Sequence, residues 1–174
     1  MPAEFDNVLM VGATGMLGEA VEQVAARAGR VVVVARGAAR SSLAARDRVV
    51  PVSADWRNAD DFMRAIEAAN GLDGVDLAVL WMHATGAEAK RRLLARLARG
   101  QCLVVDVVGS AALRDLRRLK PQSEALGPDA LRVTVVLGAI PTAGGHRWLD
   151  WPEISQAVIA AIDDRESRVV GELP

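Results

Sequence analysis

Three glycines spaced G-x-x-G-x-x-G, in VGATGMLG (Val11–Gly18), mark the first place where this chain could do chemistry. They follow the apolar run Val8–Val11 and open an amphipathic stretch. Such a backbone can seat an anion. Gly12 turns the strand sharply, Gly15 presents no side chain to an approaching phosphate, and Gly18 lets the following helix lie close to the first strand. The start of that helix adds unpaired N–H groups and a partial positive charge. Gly12, Ala13, Thr14, Gly15, Met16, Leu17 and Gly18 are therefore the expected cradle of a diphosphate. The turn sits in a β-α-β unit of about 30 residues, the context in which the diphosphate is that of a dinucleotide. The plainer alternative is a tight strand–helix turn that uses glycine for itself alone.

The second apolar run ends VVVVARG, at Gly37. An acid at its tip would accept hydrogen bonds from ribose hydroxyls and repel a 2′-phosphate. Ala35 does neither. Arg36 follows, and a guanidinium grips phosphate in a fork; Arg40, one helical turn on, can help. This pattern points to NADP(H) rather than NAD(H), against the alternative of a solvated arginine in an arginine-rich chain.

Groups able to move a proton are few. His83 stands at the tip of a strand, where ligands collect in open α/β sheets, and imidazole is the side chain suited to proton transfer near neutrality. Its alternative is a partly buried histidine bonded to backbone. Ser110 can donate to a substrate oxygen or cap the helix after it. Asp106, inside an apolar run, can be a buried polar residue that fixes a loop. Thr142 and His146, in AIPTAGGHRW, could close over one end of the site. Cys102, the only cysteine, reads as buried packing rather than a nucleophile. No spacing of His, Cys, Asp or Glu suggests a metal cluster, and no G-x-S-x-G elbow suggests a serine hydrolase.

The elements that must position these residues alternate along the whole chain. Strands are expected at Val8–Val11, Arg30–Ala35, Val49–Val52, Val75–Met82, Gln101–Val108, Leu131–Gly138 and Arg168–Gly171. Several are apolar on consecutive residues, as strands covered on both faces require. Helices are expected at Met16–Ala28, Ala59–Asn70, Ala87–Arg99, Ala111–Leu119 and Trp151–Asp163. The first carries one apolar stripe (Leu17, Ala20, Val21, Val24, Ala25, Ala28) and is expected to stop at Gly29. Asn58 with Asp61, and Asp150 before Pro152, read as helix starts. The small-residue stretch Gly37–Arg48 reads as a mobile loop, and so does the stretch holding Thr142 and His146. Such alternation gives an α/β fold: a doubly wound parallel sheet in a three-layer α/β/α arrangement. No linker or internal repeat interrupts it, so a single domain over residues 1–174 is expected.

The totals exclude several classes. With 51% hydrophobic and 25% charged residues the chain is globular rather than disordered. A net charge of −1 favours neither nucleic acid nor an anionic membrane. KRRLLARLAR and LRDLRRLK are basic, but read as solvated helix faces balanced by acids elsewhere. No apolar run approaches the roughly 18 residues of a membrane span, and the N-terminus lacks a signal core, so a cytoplasmic protein is expected.

The motif VGATGMLG resembles the glycine motif of the short-chain dehydrogenase/reductase superfamily, in the spacing of its extended and atypical members, with their Rossmann fold. VSADWRNADDF resembles the adenine-contacting segment, which implies that Asp55 and Trp56 flank the adenine. LAVLWMHATG occupies the place of a cofactor-lining strand, implicating Met82 and His83. RWLDWPEISQAVIAAIDDRESRVVG is similar to the closing helix and strand of atypical members. The resemblance also implies a homodimer formed by the helices that carry the two basic stretches. It places Ser110 near the catalytic serine. The usual catalytic pair, Tyr with Lys four residues on, is missing, since the chain contains no tyrosine. The expectation is an NADP(H)-binding reductase of a small carbonyl or quinone-type substrate, whose proton comes from His83, Ser110 or water. A non-catalytic NADP(H)-sensing or partner-binding module is the alternative.

Overall fold

The computed structural model describes residues 2–110 and 123–173. Seven strands form one parallel sheet: β1 (Phe5–Val11), β2 (Ala28–Ala35), β3 (Val49–Ser53), β4 (Leu77–Trp81), β5 (Leu103–Gly109), β7 (Leu131–Leu137) and β10 (Arg168–Val170). Their spatial order is β10-β7-β5-β4-β1-β2-β3, and a short antiparallel strand, β6 (Glu124–Ala125), pairs with β7. The expected doubly wound α/β fold is what forms. The chain builds outward from β1 to β3, then restarts on the other side of β1 with β4, so the order reverses between β1 and β4.

Successive strand residues point to opposite faces, and both faces are covered. Val8, Met10, Val31 and Val33 face helices α1 (Gly18–Arg27) and α4 (Trp151–Asp164). Leu9, Val11, Val32 and Val34 face α2 (Ala59–Ala68) and α3 (Ala87–Leu97). This two-sided burial explains the unbroken valine run of β2, in which Val31 to Val34 are at most 1% exposed.

Local chemistry sets the helix ends. The Asn58 side chain accepts from the Asp61 N–H at 3.2 Å and starts α2. At the other end Asn70 takes φ +50°, while the Asn70 and Gly71 N–H groups reach back to Glu67 and Ile66, a left-handed C-terminal cap. For α4, Asp150 and Glu153 cap each other's backbone N–H groups reciprocally, with Pro152 in the first turn.

Several expectations change. Helix α1 starts at Gly18, not Met16, and runs directly into β2 through an extended Ala28. Gly29 does not stop it. Gly29 lies within β2, where an added Cβ would stand 2.8 Å from the Asp6 carbonyl, so its role is close approach to β1. The stretch Gly37–Arg48 is not an open loop: it folds into 3-10 turns at Ala38–Arg40 and Ser42–Ala45, anchored by buried Ala38 and Leu43. The segment after β7 is a hairpin, β8 (Ala139–Thr142) with β9 (Gly145–Trp148). The helix expected at Ala111–Leu119 lies outside the described residues.

Asp106, in the middle of β5, is fully buried and sits 2.5 Å from Lys90 Nζ on α3 and 2.5 Å from Arg132 Nη2 on β7. It ties two strands and a helix rather than a loop. Removing it strands two cations that are only 17% and 27% exposed. Asp106→Ala is expected to lower stability by about 2–4 kcal/mol, less than a fully buried pair would cost because both partners retain some solvent. Urea unfolding measures this, and an unchanged midpoint would contradict it.

Candidate functional site

The carboxyl ends of the parallel strands bring most of the expected residues to one edge. β1 leaves the sheet at Gly12, whose φ is +73° and whose N–H donates to the Val34 carbonyl at 2.8 Å. A Cβ there would lie 2.1 Å from the carbonyl oxygen of Trp81, the last residue of β4. Only glycine fits. Ala13 and Leu17 are buried and anchor the turn, while Thr14, Gly15 and Met16 remain partly exposed above them.

Helix α1 has no side-chain cap, because Leu17 occupies the cap position. Among the described residues, no acceptor meets the N–H groups of Thr14, Gly15 or Met16. The turn therefore offers free donors beside the partial positive charge of the helix start, at the point where the strand order reverses. An added Cβ at Gly15 or Gly18 would meet nothing within 4 Å. Open space beside free donors is the expected arrangement at Gly15. At Gly18 it corrects the expectation that this glycine lets helix and strand approach closely.

One supporting residue escaped the sequence reading. Ser155 of α4 is fully buried, and its hydroxyl donates to the Met16 carbonyl at 3.1 Å, holding the turn from behind. The signal was a serine on a face that otherwise buries Ile154, Val158 and Ile162.

Beyond β2, Arg36 and Arg40 are exposed, and among the described residues neither forms an ion pair. Beyond β3, Asp55 is clamped by Arg57 at 2.6 Å. Hydrogen bonds from the Arg57 side chain, then from its backbone, hold the Asp55 carboxyl down to about 2, with Arg36 a smaller contributor. Trp56 is fixed by donation from Nε1 to Thr85 Oγ1 at 3.2 Å and lies against Gly86.

Beyond β4, His83 is exposed between two indoles. Its ring centre is 6.0 Å from that of Trp56 and 5.2 Å, edge-on, from that of Trp81. It is not the buried, backbone-bonded histidine of the plainer reading. Met82 turns inward and is 8% exposed. Ser110 follows β5 and is partly exposed; the helix it was expected to cap lies outside the described residues.

Thr142 and His146 lie on the exposed β8–β9 hairpin, where His146 Nε2 is 3.8 Å from Glu172. The arginines of α3 meet acids: Arg91 and Arg92 pair with Glu88, Arg92 also with Asp60, and Arg96 with Asp73. Among the described residues there is no group of three metal ligands, and no helix is long and apolar enough to cross a membrane.

Residues 8–120 match the model of the NAD dependent epimerase/dehydratase family. The fold resembles that of a short chain dehydrogenase from Burkholderia cenocepacia in complex with NADP, with TM-score 0.68 and 18% identity over 98% of this chain and 90% of that one. A short chain dehydrogenase from Leptospira borgpetersenii with bound NAD+ aligns with TM-score 0.65 and 12% identity over 97% and 92%. A dehydrogenase/reductase from Sinorhizobium meliloti gives 0.62 and 17% over 98% and 94%. No curated protein sequence matches the chain.

Two glycines of one turn should respond oppositely to alanine. Gly12→Ala meets backbone and a positive φ, and should cost at least about 2 kcal/mol. Gly15→Ala enters open space and should leave stability unchanged or raise it by up to ~1 kcal/mol. Thermal melts of both variants check this, and equal losses would refute it. Burial pushes the Cys102 thiol up to about 12, so alkylation by iodoacetamide at pH 8 should be negligible in the folded protein and rapid in urea.

Proposed function

The chain belongs to the NAD dependent epimerase/dehydratase family, within the short-chain dehydrogenase/reductase superfamily, and on that premise we propose that it is an NADP(H)-dependent oxidoreductase of a small carbonyl or quinone-type substrate. The observation that carries the reading is the uncapped N-terminus of α1. It is aimed across the reversal of strand order, and it stands behind a turn that leaves room at Gly15. Free N–H groups and open space fit a diphosphate, and ligands of open α/β sheets collect at that place.

When bound, the nicotinamide supplies a hydride donor or acceptor. The protein's residues do the rest. The turn Gly12–Gly18 receives the diphosphate, with Ser155 bracing it from below. Arg36, helped by Arg40, grips a 2′-phosphate where Ala35 offers no acid to ribose hydroxyls. Asp55, anionic through any working pH, and the fixed Trp56 border the adenine. Met82 and His83 line the tip of β4. Without a tyrosine in the chain, the proton for a substrate oxygen is held by His83 or Ser110, or delivered by water. The preference for NADP(H) rests on Arg36, because one structural neighbour carries NADP and another NAD+.

A charge-assisted hydrogen bond contributes about 1.5–3 kcal/mol. Arg36→Ala should therefore weaken NADPH binding about ten- to a hundredfold and leave NADH binding nearly unchanged, as read by calorimetry. Equal loss for both cofactors would remove Arg36 from this role. Oxidation of NADPH across a carbonyl and quinone panel should be detectable, and should fall in His83→Ala or Ser110→Ala. Tight binding without turnover on any panel member would replace the reductase with a sensing module.

A further inference from the structure

On the dinucleotide reading just given, one half of the ligand is already placed. Its adenosine lies toward the tips of β2 and β3, and its diphosphate at the start of α1. The nicotinamide half must then run the other way, over the tips of β4 and β5. The side chain waiting there is Trp81. Its carbonyl lies against Gly12, and its ring reaches Gly109, the last residue of β5, where an added Cβ would stand 3.9 Å from Cη2. Gly109 leaves bare backbone beside the indole, while Gly12 leaves room for the Trp81 carbonyl. His83 meets it edge-on at 5.2 Å, while Met16 and Ile140, also partly buried, pack on the same apolar core. Trp81 itself is partly exposed, and among the described residues its Nε1 has no acceptor. A partly exposed aromatic ring thus lies over the tips of β4 and β5, next to the point where strand order reverses.

We propose that the Trp81 indole is the wall against which the nicotinamide lies, and that through it the site binds the oxidised dinucleotide in preference to the reduced one. Oxidised nicotinamide is a pyridinium cation and the reduced ring is neutral. The negative π face of an indole attracts only the former beyond ordinary apolar contact. Tighter binding of the oxidised form makes the bound reduced form the stronger reductant, by linkage. That suits a reductase that lacks the phenol acid of its relatives.

Calorimetry on the full chain, with NADP+, NADPH and 2′-phospho-ADP-ribose as probes, tests this in wild type, Trp81→Phe and Trp81→Leu. The ratio of NADP+ to NADPH affinity should fall about three- to thirtyfold in Trp81→Leu, the span that a cation–π contact sets. Trp81→Phe should lie between. Affinity for 2′-phospho-ADP-ribose, which has no nicotinamide, should hold in all three. Wild type with NADP+ should also show a weak charge-transfer absorption to the red of the indole band, absent with NADPH, and this needs no variant to fold. If all three probes bind, an unchanged ratio or a missing band overturns the role of Trp81 and leaves the dinucleotide reading standing. If none of the three binds wild type, the dinucleotide reading itself falls, and this inference with it.

Discussion

The passage of Gly12 against the Trp81 carbonyl is the constraint from which the candidate site follows. A parallel sheet brings β1 and β4 side by side in register, Val11 opposite Leu80, so the chain leaving β1 must turn within a space one Cβ would fill. Gly12 has neither the Cβ nor the aversion to positive φ. Because the turn is that tight, α1 begins close to the sheet edge, just after the N–H groups of Thr14, Gly15 and Met16, which meet no acceptor among the described residues. Trp81 is thereby pinned by its own backbone, and its partly buried ring lies beside Gly109 at the end of β5. Ser155 secures the same turn from the opposite side. The site is held by backbone contact before any of its side chains is considered.

Charge at this edge differs from charge on the flanks. Arg27 bridges Glu4 and Asp163, Arg46 meets Glu22, and Arg147 meets Glu153. Such exposed pairs contribute little to stability, but they neutralise the surface locally. Among the described residues Arg36 and Arg40 form no such ion pair. A net charge of −1 for the whole chain therefore conceals a cationic edge suited to an anionic ligand. Asp55 stands close by, and its pairing with Arg57 keeps its negative charge from opposing that edge fully.

The sheet that supports the edge carries one buried charge, Asp106, amid valines. Two-sided burial makes an ionised carboxylate there costly unless it is paired, and Lys90 and Arg132 supply the pairs from different elements. The trio fixes β5 against β7 and α3. Its consequence for the edge is indirect but physical: Gly109, three residues further along β5, is set in position beside the Trp81 ring.

What the sequence determined by itself is whatever repeats locally. Period-two and unbroken apolar runs placed every strand of the parallel sheet to within a few residues, since a residue's face depends only on its position along its own strand. Gly12 in a strand–helix context and the caps at Asn58 and Asp150 were legible for the same reason. Tertiary structure alone decided which of these residues meet. Ser155 reaches Met16 across 139 positions. Trp56 and Trp81 close on His83 from different strand tips, and Lys90 and Arg132 find Asp106. Gly29 exchanges a helix stop for a close strand contact, and Gly18 proves to stand in open space. Periodicity tells a side chain which way to point, whereas its neighbour is chosen by the packing of strands and helices from distant parts of the chain.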